Sequence, residues 1–173
     1  MSTVRRAVEV ACEWHGAQRY GKHPYIVHLI DVARHSRGFG VQAETVAYLH
    51  DILEDTKMPP AQLGAIFGPR VREAVEVLTD PPGATRKERK AAAYAKLGEI
   101  NESSPLAVAL IVKAADRLAN VEACVADGNE RLLDMYRKEH PAFLKAVQRP
   151  FFGNHILLSA TSHLLSPTGS TST

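Results

Sequence analysis

Cysteine is scarce in this sequence of 173 residues, which contains only Cys12 and Cys124. Two cysteines cannot form a disulfide framework, and no CxxC motif occurs. The composition therefore excludes thiol-redox chemistry based on a CxxC motif. The scarcity of cysteine also fits a protein of a reducing compartment. Glycine-rich phosphate loops of the GxxxxGK[ST] or GxGxxG type are also missing, which excludes phosphate binding by such a loop.

Long apolar runs and a strong net charge are missing as well. Glu9, Glu13 and Trp14 interrupt the N-terminal stretch, and the apolar run at residues 106–112 is far shorter than the ~20 residues of a spanning helix. We therefore predict a cytoplasmic protein that does not enter a membrane. Lys and Arg total 21 and Asp and Glu total 19, a net charge of +2. This balance argues against nucleic-acid binding through bulk charge.

The sequence that remains has a helical pattern almost throughout. Ala, Leu, Glu, Lys and Arg dominate, and apolar residues recur three and four positions apart. Pro and Gly mark the breaks, of which residues 80–83 (DPPG) are the clearest. No segment alternates as a strand would, so we predict a single all-α domain. Helices are expected at about residues 3–19, 25–37, 42–53, 61–67, 69–78, 85–100, 105–125 and 130–147.

Residues 50–55 read His-Asp-Ile-Leu-Glu-Asp, a polar end to the third predicted helix. Three carboxylates and an imidazole are costly to bury unless something pairs with them. Helical spacing places His50 beside Glu54 and Asp51 beside Asp55. A divalent cation would relieve the repulsion among these carboxylates. The alternative interpretation is a solvated helix end, with Glu54 and Asp55 in water.

Two further polar residues stand on apolar helices. His28 has apolar neighbours on both sides, and Asp116 follows an apolar stretch, one turn before Asn120 on the same helix face. Each has a structural alternative: a hydrogen-bonded core histidine for His28, and an ion pair that braces two helices for Asp116. The ordered series His28, His50-Asp51 and Asp116 nevertheless combines imidazole and carboxylate ligands. Such a set suits Mn, Fe, Ni or Zn better than Ca.

This series resembles the pattern of the HD phosphohydrolase superfamily. Residues 15–33, which begin HGAQRYG, resemble the opening of the hydrolase domain of RelA/SpoT-type alarmone enzymes. Residues 50–56 (HDILEDT) resemble that family's HDxxED motif, and residues 113–120 (KAADRLAN) resemble its KLADRLxN helix. The resemblance covers about residues 7–125, with the motifs in the same order.

The resemblance implies an HD-type helical bundle over residues 1–150. We expect residues 151–165 to form a C-terminal extension and the polar residues 166–173 to be a disordered tail. The implied activity is metal-dependent removal of the 3′-pyrophosphate of ppGpp or pppGpp, which yields GDP or GTP and pyrophosphate. We expect a hydrolase only, with no alarmone synthesis.

The resemblance also implies roles for individual residues. One Mn²⁺ ion, or another divalent transition metal, would be bound by His28, His50, Asp51 and Asp116. The attacking water would be positioned and deprotonated by Glu54 and Asp55. Arg19 and Lys90 would contact phosphates or the nucleotide, and Asn120 would hydrogen-bond the ribose or base side. Arg117 is a further cation for the anionic substrate, and Tyr136 either closes over the nucleotide or packs within the bundle.

Three departures from the family pattern bear on the substrate. Tyr20 stands where the family usually has a basic residue, Leu29 where it has Pro, and Glu122 where it has Arg. We expect these positions to affect the nucleotide pocket. The sequence therefore specifies the hydrolytic reaction better than it specifies an alarmone as the substrate. The alternatives are hydrolysis of another nucleotide, such as a nucleoside phosphate or NADPH, and a silent nucleotide-sensing module. The predicted partner is a small-molecule nucleotide, and the oligomeric state is left open.

Overall fold

Helices make up most of the chain in the computed structural model, which describes residues 3–149 and 153–166. Two 3₁₀ turns, Arg37–Phe39 and Pro105–Ala107, precede α3 and α8. The helices are α1 Thr3–His15, α2 Tyr25–Ser36, α3 Val41–Leu49, α4 Ile52–Asp55, α5 Pro60–Phe67, α6 Pro69–Leu78, α7 Arg86–Gly98, α8 Val108–Ala126, α9 Glu130–Val147 and α10 His155–Leu165. The all-α prediction is confirmed.

The central helix of the bundle is α8, which packs against α2, α3, α6, α9 and α10. It is apolar around most of its circumference, as expected for a helix enclosed by others. Its alanines at 109, 114 and 115 are fully buried, together with Leu110 and Val112. The polar residues that α8 carries in its middle are therefore held inside the bundle.

Local sequence determines where α7 begins. Thr85 and Glu88 form a capping box, in which the Thr85 hydroxyl accepts a hydrogen bond from the Glu88 backbone N–H at 3.2 Å and the Glu88 carboxylate accepts one from the Thr85 backbone N–H at 3.0 Å. Such a cap satisfies backbone donors that no helical carbonyl can reach. The cap thereby sets the position of Arg86 and Lys90 on the first turns of α7.

The third helix is shorter than the sequence predicted. Residues 42–53 were expected to form one helix, but α3 ends at Leu49, and α4 begins at Ile52 after a break at His50-Asp51. The Asp51 backbone, at φ −98° and ψ 0°, leaves the helical path there. This break turns the His50 and Asp51 side chains towards α2 and α8, while the Asp51 carbonyl still accepts hydrogen bonds from the Glu54 and Asp55 N–H groups.

Residues 19–24, at the break between the first two predicted helices, form a small antiparallel hairpin. Its strands, β1 Arg19–Tyr20 and β2 His23–Pro24, have two residues each and pair Arg19 with Pro24 and Tyr20 with His23. Gly21, at φ +55°, provides the left-handed turn between them. Strands of two residues are too short to show an alternating pattern, which is why the sequence did not reveal them.

The C-terminal helix α10 packs on α8 and α9. Leu157 and Leu158 join the core that the preceding helices form. The expected disordered tail lies, except for Ser166, outside the described residues. Within the described ranges, no helix combines the length and the apolar character that crossing a membrane requires.

Candidate active site

A polar cavity of about 200 Å³ lies where α2, α4, α7, α8 and α9 meet. Nine of the eleven residues assigned from the sequence line it: His28, Asp51, Glu54, Asp55, Lys90, Asp116, Arg117, Asn120 and Tyr136. His50 lies directly behind the wall of the cavity and is 1% exposed. Residues that are far apart in the sequence therefore meet in one place.

Two imidazoles and two carboxylates converge at the base of this cavity. His50 Nε2 lies 2.9 Å from Asp51 Oδ2 and 3.8 Å from Asp116 Oδ1. His28 Nε2 lies 3.4 Å from Asp116 Oδ1 and 3.8 Å from Asp51 Oδ2. Metal bonds to N and O ligands of ~2.0–2.2 Å require ligand atoms to lie about 3–4 Å apart. The four side chains thus stand at separations that suit a single shared cation.

Hydrogen bonds outside the cluster orient its ligands. His50 Nδ1 lies 2.8 Å from the Ala47 carbonyl oxygen and donates to it, so Nε2 is the ring nitrogen that faces the carboxylates. Tyr25 donates to Asp51 Oδ2 at 2.5 Å, and Asn120 donates to Asp116 Oδ1 at 2.5 Å. Partners of this kind are typical of metal-ligating histidines and carboxylates, whose orientation they fix.

The electrostatics of the cluster favour a bound cation. Burial by itself lowers the pKa of His50, but the Asp51 and Asp116 carboxylates outweigh it and raise that pKa to about 10. Burial opposes ionisation of Asp116, yet Lys113 and the two imidazoles hold the pKa of Asp116 well below its usual range. His50 Nε2 is buried and, although Asp51 Oδ2 lies 2.9 Å away, it forms no hydrogen bond of good geometry among the described residues. The residues present therefore fit a divalent metal ion.

Two carboxylates of α4 stand at the rim of the cavity. The Glu54 carboxylate accepts a hydrogen bond from the Asp80 backbone N–H at 3.0 Å. Partial burial raises the pKa of Glu54, and the Asp80 and Asp51 carboxylates add to that effect, while the Asp80 N–H opposes it. Asp55 Oδ2 accepts a hydrogen bond from Gln18 at 2.8 Å. Both groups are placed to receive a proton beside the ligand cluster.

Cationic side chains line the opposite wall from α7 and α8. Lys90 forms a 2.7 Å ion pair with Asp80, whose side chain is 6% exposed. Lys113, which is 8% exposed, donates to Asp116 Oδ2 at 3.1 Å. Arg86 binds Glu139 through two hydrogen bonds of 2.8 and 3.2 Å. Acidic partners thus hold the cations in place before any anion enters.

Arg117 is the most buried of these cations, with 5% of its surface exposed. Its guanidinium donates to the Tyr94 hydroxyl at 2.6 Å and to Glu139 at 3.3 Å. The guanidinium carbon lies 4.7 Å from the ring centre of Tyr136 and 4.4 Å from that of Phe143. Two aromatic faces therefore hold the planar cation. This contact gives Tyr136 a packing role. Tyr136 also lines the cavity, and its closure over a nucleotide stays a prediction.

Tyr20 occupies the position where the sequence departs from the family pattern. Its ring stacks on His28 with centroids 4.6 Å apart, and its hydroxyl donates to Asn120 Oδ1 at 2.6 Å. The Asn120 amide is therefore engaged with both Tyr20 and Asp116, and its contact with ribose or base stays a prediction. Glu122, by contrast, does not line the cavity; it pairs with His35 at 2.8 Å and Arg34 at 3.2 Å.

Arg19 lies outside the cavity lining, and its guanidinium donates to the Lys22 backbone carbonyl. Its contact with phosphate stays a prediction. Four lining residues were not assigned a role from the sequence: Tyr20, which was noted only as a departure from the family pattern, and Tyr25, Arg86 and Lys113. Tyr25 precedes His28 by three positions, Lys113 precedes Asp116 by three, and Arg86 precedes Lys90 by four. Helical spacing from an assigned residue was the signal that could have found them.

An all-helical bundle that encloses imidazole and carboxylate ligands beside a cationic wall defines a candidate metal-dependent hydrolase centre. The family model described as HD domain matches residues 7–140. The human (Homo sapiens) guanosine-3′,5′-bis(diphosphate) 3′-pyrophosphohydrolase MESH1 is 33% identical over 156 residues, which cover 86% of this chain and 83% of the human protein. This chain belongs to the HD-domain family.

Other relatives are longer or more distant. The guanosine-3′,5′-bis(diphosphate) 3′-pyrophosphohydrolase of Aquifex aeolicus is 38% identical over 122 residues, and this match spans only 17% of that protein. The solved structure of a metazoan SpoT orthologue that hydrolyses ppGpp superposes with a TM-score of 0.78 at 23% identity. The superposition covers 95% of this chain and 94% of the orthologue's chain, which establishes that the two share a fold.

Proposed function

We propose that this protein hydrolyses the 3′-pyrophosphate of guanosine alarmones, converting ppGpp or pppGpp to GDP or GTP and pyrophosphate, with Mn²⁺ as the metal. The observation that carries the proposal is the convergence, in and directly behind one cavity, of four candidate metal ligands, two rim carboxylates and a cationic wall. Relatives that match most of this chain are 3′-pyrophosphohydrolases by name. We propose the cytoplasm as the place of action.

The roles of the side chains follow from their positions. His28, His50, Asp51 and Asp116 would hold a divalent cation, which, when bound, would supply a Lewis acid for the phosphoryl group and lower the pKa of water. Glu54 and Asp55 together position the attacking water, and a carboxylate oxygen of this pair accepts its one proton. These two residues also distinguish an enzyme from a sensing module, which has no need of a proton acceptor.

The cationic wall suits the charge of the substrate. A guanosine tetraphosphate carries many negative charges, and charge develops further on the leaving pyrophosphate, so cations must be in place in advance. Lys90, Arg86, Lys113 and Arg117 provide them. The cavity of about 200 Å³ is smaller than the ~300–1,000 Å³ of sites that enclose a whole organic ligand. We infer that the pyrophosphate enters it and the nucleoside lies nearer the mouth.

A second candidate function is hydrolysis of another nucleotide, such as a nucleoside phosphate or NADPH. Tyr20 favours it, because its hydroxyl and ring occupy a cavity position that the alarmone hydrolases usually give to a cation. A neutral phenol contributes one less positive charge for phosphate binding.

A direct assay separates these candidates. Purified protein is incubated with ppGpp and Mn²⁺, and GDP and pyrophosphate are quantified by anion-exchange chromatography. Parallel reactions contain pppGpp, GTP or NADPH, other divalent metals, or EDTA, and Asp116→Ala is the inactive control. Formation of GDP and pyrophosphate supports the proposal. Turnover of NADPH or GTP without turnover of ppGpp would overturn it. Incubation with ATP and GDP tests the expectation that no alarmone is made.

A further inference from the structure

Gln18, in the turn between α1 and β1, connects a buried histidine to one of the rim carboxylates. Its Nε2 donates to Asp55 Oδ2 at 2.8 Å, and its Oε1 lies 2.8 Å from His15 Nδ1. His15 is 6% exposed and does not line the cavity. None of the roles described above involves Gln18 or His15.

The hydrogen-bond directions in this chain follow from the chemistry of its members. An ionised carboxylate can only accept, so the NH₂ group of Gln18 must face Asp55 and its oxygen must face His15. His15 must then carry a proton on Nδ1. Its Nε2 is buried without a hydrogen-bond partner in the described part of the chain. A neutral ring with its proton on Nδ1 leaves no buried N–H unsatisfied, so the network selects that tautomer.

The backbone holds Gln18 firmly. Gly16, at φ +48°, ends α1 in the left-handed region, and the chain returns so that the Gln18 N–H donates to the His15 carbonyl at 2.8 Å. The Gln18 carbonyl accepts from the Tyr25 N–H at 3.0 Å, which ties it to the start of α2. The His15 ring also stacks on Tyr25, with centroids 4.7 Å apart and planes at 15°. The backbone of Gln18 and the ring of His15 are thus fixed, and the two amide hydrogen bonds hold the side chain between His15 and Asp55.

We propose that Gln18 is a positioning residue, held by His15, that fixes the Asp55 carboxylate for proton transfer. The bond from Gln18 occupies Oδ2 and leaves Oδ1 as the oxygen that receives the proton of the attacking water. Without this bond, Asp55 is an exposed side chain at the end of a four-residue helix. It is left with the Tyr25 hydroxyl, which already donates to Asp51, as a neighbour, so its carboxylate is held less firmly. The inference rests on the proposed hydrolase function and assigns a role within it.

Substitution of Gln18 by Leu tests the proposal, because it removes both amide hydrogen bonds at nearly constant side-chain size. We expect kcat to fall about 10- to 100-fold, as is usual for loss of a hydrogen bond to a charged group, while KM and metal content stay within about twofold. His15→Phe retains the stack on Tyr25 and removes the Nδ1 donor, so it should lower kcat by a smaller factor. Gln62→Leu, on exposed α5, is the matched control and should leave both constants unchanged.

A double-mutant cycle shows whether Gln18 acts through Asp55. Adding Gln18→Leu to Asp55→Asn should cause no further loss of kcat, because the carboxylate that Gln18 positions is already gone. Independent losses that multiply would overturn the proposal, and so would a Gln18→Leu enzyme with wild-type kcat. The cycle is run on ppGpp or, if ppGpp is not turned over, on whichever nucleotide the enzyme hydrolyses.

A spectroscopic measurement tests the network independently of activity. The ¹⁵N shifts of His15 in the metal-free protein report its tautomer, and we expect a protonated Nδ1 whose resonance moves in Gln18→Leu. A His15 with its proton on Nε2 only would overturn the proposal. If this NMR signature is present but neither ppGpp nor the other nucleotides are hydrolysed, the proposed function is refuted while the hydrogen-bond network is confirmed. The role of Gln18 in proton transfer is then also refuted.

Discussion

The hydroxyl of Tyr25 should determine how tightly the metal is held. This hydroxyl donates to Asp51 Oδ2 at 2.5 Å, in the range of charge-assisted O–H···O⁻ bonds. Burial, followed by the charge of Asp51, raises the pKa of Tyr25 far above its ordinary value of 10, so the phenol stays a donor at neutral pH. Tyr25→Phe removes the donor and retains the ring, which stacks on His15 and meets His28 edge-on.

Two arguments give the same magnitude for the effect of Tyr25→Phe on metal binding. A hydrogen bond to a charged group contributes about 1.5–3 kcal/mol, and each 1.4 kcal/mol is tenfold in an equilibrium constant. Loss of an outer-sphere partner of a metal ligand usually weakens metal binding ~10–100-fold. We therefore expect Tyr25→Phe to raise the Kd for Mn²⁺ by about 10–100-fold. Because the ring stays in place, the stability of the metal-free fold should change by much less.

Competition with a chromophoric chelator measures this Kd, and thermal unfolding in EDTA measures the stability of the metal-free protein. Tyr48→Phe is the matched control, because Tyr48 is a buried tyrosine on α3 that does not line the cavity. It should leave the Kd unchanged. A Tyr25→Phe protein that binds Mn²⁺ within about twofold of wild type would refute the reasoning, since Asp51 would then hold its orientation unaided.

Three further predictions concern the base, the metal and α7. Glu54→Gln should lower kcat by about 10²–10⁴-fold with unchanged metal content; an active variant would remove Glu54 from proton transfer. Mn²⁺ at 100-fold its Kd should stabilise the wild type by about 2.7 kcal/mol, or roughly 5–11 °C in Tm. Asp116→Ala should lose that shift, and a retained shift would contradict its role as a ligand. Thr85→Ala should cost about 1 kcal/mol by thermal unfolding; unchanged Tm would show that the cap does not hold α7.

The ligand set was predictable from the sequence because helical periodicity makes polar residues on apolar helices conspicuous. His28 and Asp116 stand out in this way, and the adjacent His50-Asp51 pair completes a recognisable order along the chain. The contact between them was not predictable by spacing, because α2, α3 and α8 bring them together only when they pack on one another. The break after Leu49 was not predictable from the sequence either, since neither His50 nor Asp51 is a strong helix breaker.

Charged residues on helix surfaces account for the site positions that could not be assigned correctly from the sequence. Arg86 belongs to a charged run that reads as a solvated face, yet its pairing with Glu139 of α9 places it in the cavity wall. Glu122 reads as part of the nucleotide pocket, yet it faces Arg34 and His35 of α2. A charged side chain at a helix surface has no local feature that tells solvent from a cleft, so its partner decides its role.

The sequence by itself determined most of the helices, the absence of CxxC-type thiol chemistry, and the identity and order of the metal-ligand candidates. These properties depend on residue type and on spacing within one helix, which a linear pattern records. The tertiary structure decided the hydrogen bonds of Tyr25, Gln18 and Asp80, and the pairing of each cation with its carboxylate. Most of these contacts join residues that are far apart in the chain, and only the packing of the helices specifies the distances between them.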